Sequence, residues 1–80
     1  MSHLTLYYKP TCPYCQKVLG FMDQNGISVP LKNREETRAI REELVKIGGK
    51  PQVPCLVVDG KAIYESDDIL QWFKTNWKKS

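Results

Sequence analysis

The sequence predicts an α/β fold with the element order β-α-β-α-β-β-α, and three observations carry that expectation. Short β-prone apolar runs alternate with segments whose apolar residues recur at helical spacing. Asp59-Gly60 separates the last two β-prone runs by the two residues that a tight hairpin needs. Two thiols, Cys12 and Cys15, stand where the first strand gives way to the first helix. With 80 residues the chain is expected to be a single domain spanning 1–80.

Leu4 to Tyr8 reads as the first strand. Lys9-Pro10-Thr11 breaks it, and Pro13 suits the first position of a helix because its missing N–H would have no partner there. That helix is expected to run to about Asn25, with Cys15, Val18, Leu19 and Met22 on one stripe and Asn25-Gly26 as the stop. Ile27 to Leu31 is expected to form the second strand. Pro30 within it argues for a sheet edge, since proline cannot donate to a ladder.

Glu35 to Ile47 is the second expected helix, with Ile40, Leu44 and Ile47 on its apolar side and Asn33 as N-cap. Gly48-Gly49 ends it. Cys55 to Val58 is apolar throughout, which is the pattern of a strand covered on both faces, and the hairpin leads on to Lys61–Tyr64. Ser66 is expected to cap the last helix, with Asp67 and Asp68 in its first turn and Ile69, Leu70, Phe73, Trp72 and Trp77 supplying packing bulk. A right-handed β-α-β unit makes the first two strands parallel, and the hairpin adds an antiparallel pair.

Composition narrows the function. The net charge is +3, with acids and bases interspersed. A nucleic-acid binder would gather its bases on one face, so nucleic acid is not an expected partner, and Lys78 and Lys79 read as a soluble tail. No apolar run approaches the ~20 residues that cross a bilayer, so no membrane association is expected. His3 reads as a loose terminal residue. Without a charged-then-apolar leader after Met1-Ser2, the cytoplasm is the expected location. Three cysteines do not make a disulfide framework, which again suits a reducing compartment.

Cys12-Pro13-Tyr14-Cys15 carries the chemistry. Thiols at i and i+3 share one face of a helical turn, close enough to form a small disulfide ring or to grip a metal together. A thiol at a helix N-terminus is ionised more readily, because unpaired N–H groups favour the anion. A closed metal site needs about four ligands, and only Cys55 and His3 remain to supply them, so no metal is expected. Cys55 reads as a buried core thiol, with a third redox role as the alternative.

These features together resemble the glutaredoxin branch of the thioredoxin-fold superfamily. The resemblance rests on Cys12-Pro13-Tyr14-Cys15, on Val53-Pro54 opening the apolar strand, and on Ser66-Asp67-Asp68 opening the last helix. It implies a thioredoxin fold: a four-stranded mixed sheet in order 2-1-3-4 flanked by three helices, the first and last on one face. It also implies a glutathione-dependent thiol-disulfide oxidoreductase. Cys12 would be the exposed nucleophile, with Lys9 nearby as a positive charge, and Cys15 the shielded resolving thiol.

Carried over residue by residue, the glutathione site would comprise Tyr14 along the peptide, the backbone of Val53 before a cis Pro54, and Ser66 and Asp67 at the γ-glutamyl end. Lys9 would meet the glycyl carboxylate. Disulfide-containing or glutathionylated proteins would be the other partners, and the chain would act as a monomer. Two departures stand out: Gln52 where many glutaredoxins have Thr, and Tyr64-Glu65 where they often have a Gly pair. The Glu65-Ser66 pair looks instead like the N-terminal domain of glutathione transferases. The alternatives are a redoxin reduced directly by thioredoxin reductase, and a dimer holding an iron–sulfur cluster through Cys12 and two glutathiones.

Overall fold

The computed structural model describes residues 3–77. Lys78 and Lys79, expected as a soluble tail, and the Met1-Ser2 start lie outside the described residues. The elements follow in the order β1 (Leu4–Tyr8), α1 (Pro13–Gln24), β2 (Leu31–Asn33), α2 (Arg38–Gly48), β3 (Cys55–Val58), β4 (Lys61–Ile63) and α3 (Ser66–Asn76). The sheet order is β2-β1-β3-β4, with β1 and β2 parallel and the other neighbours antiparallel. This is the expected thioredoxin fold.

Alternation along the two central strands builds a core on each face of the sheet. Leu6 and Leu56 point to the side covered by α1 and α3, where Val18, Met22, Ile69 and Phe73 close over them. Tyr7, Cys55 and Val57 point to the other side, covered by Leu44 of α2. Trp72 and Trp77 are packing residues, each set edge-on to Phe73 at centroid distances of 5.7 and 6.2 Å. The hairpin turn is as expected: Asp59 and Gly60 both have left-handed backbones, at φ 50° and 85°.

Four local expectations are corrected. The second strand is Leu31–Asn33, not Ile27–Leu31, because Pro30 can only accept: its carbonyl takes the Leu6 N–H at 2.9 Å and the ladder proper begins one residue later. The second helix begins at Arg38, where Thr37 caps it by accepting from Ile40 N–H at 3.2 Å. Asn33 caps something smaller, a turn in which its side chain accepts from Glu35 N–H at 2.9 Å. Glu35 and Glu36 therefore precede the helix.

Ser66 is the first residue of α3 and not its cap; Glu65 holds the cap position and no side chain bonds the end. His3 is not loose, since its N–H donates to Asp59 Oδ1 at 2.7 Å and its carbonyl accepts from Asp59 N–H at 2.9 Å. No helix among the described residues is long and apolar enough to cross a membrane.

Candidate functional site

The chain leaves the sheet at Tyr8, turns through Lys9-Pro10-Thr11 and enters α1 with Cys12 at the cap position and Pro13 at the first helical one. Two bonds fix this turn: Cys12 N–H donates to the Lys9 carbonyl at 3.1 Å, and the Gln16 side chain donates to the Pro10 carbonyl at 2.8 Å. Cys12 is partly exposed, Cys15 is fully buried against the sheet, and both are free thiols.

The two thiols differ in acidity. Burial pushes the Cys12 thiol up, but the backbone N–H and thiol of Cys15, the Tyr14 N–H and the Lys9 charge outweigh it, so its pKa lies below the ordinary cysteine value. Burial pushes Cys15 up to about 11, against the pull of the Lys9 N–H, which donates to its sulfur at 3.4 Å. The thiol at the surface therefore ionises more readily than an ordinary cysteine, while the one beneath it stays protonated at neutral pH.

Beside the dithiol lies a cleft of about 290 Å³, lined by Tyr14, Gln52, Val53, Pro54, Tyr64, Glu65, Ser66 and Asp67. Three separate parts of the chain converge there: the dithiol turn, the segment before β3, and the start of α3. The Val53–Pro54 peptide is cis, as the resemblance implies. The first intrahelical bond of α3 is donated by Ile69 N–H to the Glu65 carbonyl, at 2.9 Å. The N–H groups of Ser66, Asp67 and Asp68 therefore have no partner within the helix, and that end favours an anion.

Tyr14, Val53, Pro54, Ser66 and Asp67 are thus brought together as the sequence suggests. Lys9 is not among the cleft residues; its ammonium pairs with Glu35 at 3.5 Å. Two charged residues escaped sequence reasoning. Lys17 bonds Asp67 at 2.8 Å, and Arg34 donates to the Pro51 carbonyl at 2.7 Å, close before Val53–Pro54. Lys17 stands two residues past Cys15, which places it near the site, but its partner lies 50 residues on. Arg34 sits in the polar run Lys32-Asn33-Arg34-Glu35-Glu36, which reads as a solvated turn. Cys55 is buried beside Tyr7 and Leu44, its thiol pushed up to about 11 by burial, as befits a core residue.

Comparison with known proteins agrees with this geometry. The family model described as Glutaredoxin matches residues 4–63. Glutaredoxin 3 of Escherichia coli K12 is 32% identical over 69 residues, covering 86% of this chain and 83% of that protein. A buckwheat glutaredoxin crystallised as its glutathione complex superposes with a TM-score of 0.72 at 25% identity, over 92% of this chain and 70% of that one. A glutathione transferase Omega 3C from Trametes versicolor superposes with a TM-score of 0.77 at 28% identity, over 91% of this chain but 33% of its own.

Proposed function

The chain belongs to the glutaredoxin family and is a thiol-disulfide oxidoreductase, and from that premise we propose that glutathione is its reductant and co-substrate. The carrying observation is the cleft in which Tyr14, Val53–Pro54 and the Ser66–Asp67 helix start meet beside the dithiol. Glutathione offers complementary groups: a γ-glutamyl carboxylate for the free N–H groups of α3, an ammonium for Asp67, and a peptide backbone for Val53. The buckwheat relative, solved with glutathione, supports the same reading.

In this reading the Cys12 thiolate attacks a disulfide sulfur of the substrate. A Cys12–substrate disulfide forms and the other substrate sulfur leaves as a thiolate that takes a proton from water. When the bound partner is glutathione, a second glutathione thiolate can attack the glutathione sulfur of this mixed disulfide, forming glutathione disulfide and releasing Cys12 as its thiolate. With a protein disulfide, Cys15 attacks Cys12 instead, releases the reduced protein and leaves a Cys12–Cys15 disulfide for glutathione to reduce. Glutathionylated or disulfide-bonded proteins are the proposed substrates of the monomeric chain. Three free thiols suit a reducing setting such as the cytoplasm.

A coupled assay tests the electron donor. Turnover of a glutathionylated substrate with glutathione and its reductase is the expected result. Turnover with thioredoxin reductase alone would make the chain a redoxin of the other kind.

A further inference from the structure

Three charged side chains meet near the dithiol but outside the cleft. One Glu35 carboxylate oxygen lies 3.0 Å from the Arg34 guanidinium and 3.5 Å from the Lys9 ammonium. Two cations share one carboxylate, so the cluster keeps a surplus positive charge. Of the two cations Arg34 is the more enclosed, its side chain 20% exposed against 38% for Lys9. Its Nε is buried with no partner among the described residues.

Arg34 is also tied to both chain segments that frame the site. Its backbone N–H donates to the Tyr8 carbonyl at 2.8 Å, just before Lys9, whose own N–H bonds the Cys15 sulfur. The other arm of its guanidinium holds the Pro51 carbonyl at 2.7 Å. A guanidinium fixed by a carbonyl and a carboxylate in a planar fork stays put in a way a solvated lysine does not.

We propose that Arg34 is a positioning residue for the resolving step: its fixed guanidinium supplies the positive charge that favours a thiolate on buried Cys15. The proposal rests on the reading of Cys15 as the resolving thiol. Cys12 and Arg34 are the charged groups felt at the Cys15 sulfur, with opposite signs, while Lys9 acts on Cys12 and Glu35 tempers both cations. In the reduced protein the Cys12 thiolate opposes ionisation of Cys15. Once Cys12 is bound in a mixed disulfide its charge is gone, and the pull of Arg34 acts alone.

Cys15 then gives its proton to water and its thiolate attacks Cys12 Sγ. The Cys12–substrate S–S bond breaks, the Cys12–Cys15 bond forms, and the substrate leaves as a thiolate carrying the electron pair. The dithiol is oxidised by two electrons and the substrate disulfide reduced by two.

The test separates the charge from the hydrogen bond to Pro51. Arg34→Gln keeps a donor without charge, and Arg34→Lys keeps the charge. Each is introduced into the Cys12→Ser protein, where Cys15 and the deeply buried Cys55 are the only thiols, and the cysteine Cβ chemical shifts are followed against pH. Cys55→Ala in the same background identifies the Cys15 transition. Arg34→Gln is expected to move the Cys15 titration up by about half to one pH unit, the scale of one partly screened charge nearby. Arg34→Lys should restore most of that shift. With Cys12 present, single-turnover release of a reduced protein substrate should slow about three- to tenfold in Arg34→Gln.

An unmoved Cys15 titration in Arg34→Gln, or no recovery in Arg34→Lys, would overturn the proposal while leaving the glutathione reading intact. Direct protein-disulfide reduction by Cys15→Ser at the parent rate would remove the resolving role itself, and the proposal with it.

Discussion

The Lys17 ammonium lies 2.8 Å from the Asp67 carboxylate, joining the second residue past the dithiol to the first turn of α3. This hydrogen bond holds the Asp67 carboxyl below its usual range, so Asp67 is anionic throughout the neutral region. Both side chains are largely exposed, which leaves Asp67 open to a second cation and the existing pair open to screening. Asp67→Ala is expected to raise KM for a glutathionylated substrate by about three- to tenfold, the solvent-weakened share of a charge-assisted hydrogen bond. Asp68→Ala should change it far less, since that carboxylate only favours the helix end. Steady-state kinetics on both variants decides, and sensitivity at Asp68 instead would place the γ-glutamyl group one residue further along.

The unequal acidity of the two thiols predicts unequal alkylation. The Cys12 pKa is lowered, so its thiolate persists as pH falls below the ordinary cysteine range, whereas Cys15 stays protonated until about pH 11. Iodoacetamide at slightly acidic pH should therefore modify Cys12 alone, which peptide mass mapping reads directly. Cys12→Ser should lose all thiol transfer, while Cys15→Ser should keep deglutathionylation and lose direct reduction of protein disulfides. Equal labelling of the two positions would contradict the assignment.

Much of this site was legible in the sequence because its signals are local. The dithiol, the Val53-Pro54 pair and the Asp59-Gly60 turn each act through one or two neighbouring residues, and the unbroken apolar run Cys55–Val58 marks a strand covered on both faces. What was missed depends on partners distant in the chain. Lys17 gains a role only when α1 meets α3, and Arg34 only when its turn reaches Pro51. The start of α2 slipped because Asn33 and Thr37 are both competent caps, and Arg34 and Lys9 draw Glu35 into the ion cluster. Gln52, Tyr64 and Glu65 stood out only as departures from the family pattern, although all three line the cleft.

Two buried thiols also set an alkaline limit on stability. Cys15 and Cys55 are both pushed up to about 11 by burial, against an unfolded value near 8.5. As pH rises past the unfolded value, the unfolded chain releases these protons first and the native state binds more. Stability is therefore full below about pH 8.5 and declines toward pH 11, as the linkage sign requires. The melting temperature of the reduced protein should fall across that window, and Cys55→Ala should flatten the slope even if its baseline is lower. A slope unchanged by Cys55→Ala would show that this thiol does not contribute.

Tyr64 joins the far wall of the cleft to the end of α2, and Gly48 makes the junction possible. The Tyr64 hydroxyl donates to the Lys50 carbonyl at 2.9 Å, and its ring lies where a β-carbon on Gly48 would be. An alanine at that position must push the ring aside, because the hydroxyl oxygen and two ring carbons occupy the space. Displacing the ring gives up the bond to Lys50 and disturbs packing around Ala62 and Val53, on the α2 side of the sheet. Gly48→Ala should therefore lower stability by about 1–2 kcal/mol, although alanine is intrinsically the better helix former. Tyr64→Phe keeps the ring and removes only the hydroxyl, so it should cost about 1 kcal/mol or less. Since Tyr64 lines the cleft, Gly48→Ala should also raise KM for a glutathionylated substrate, and Tyr64→Phe should leave it nearly unchanged. Urea denaturation and steady-state kinetics on the pair check both halves. A Gly48→Ala protein as stable as the parent would mean that Tyr64 can leave this position at no cost.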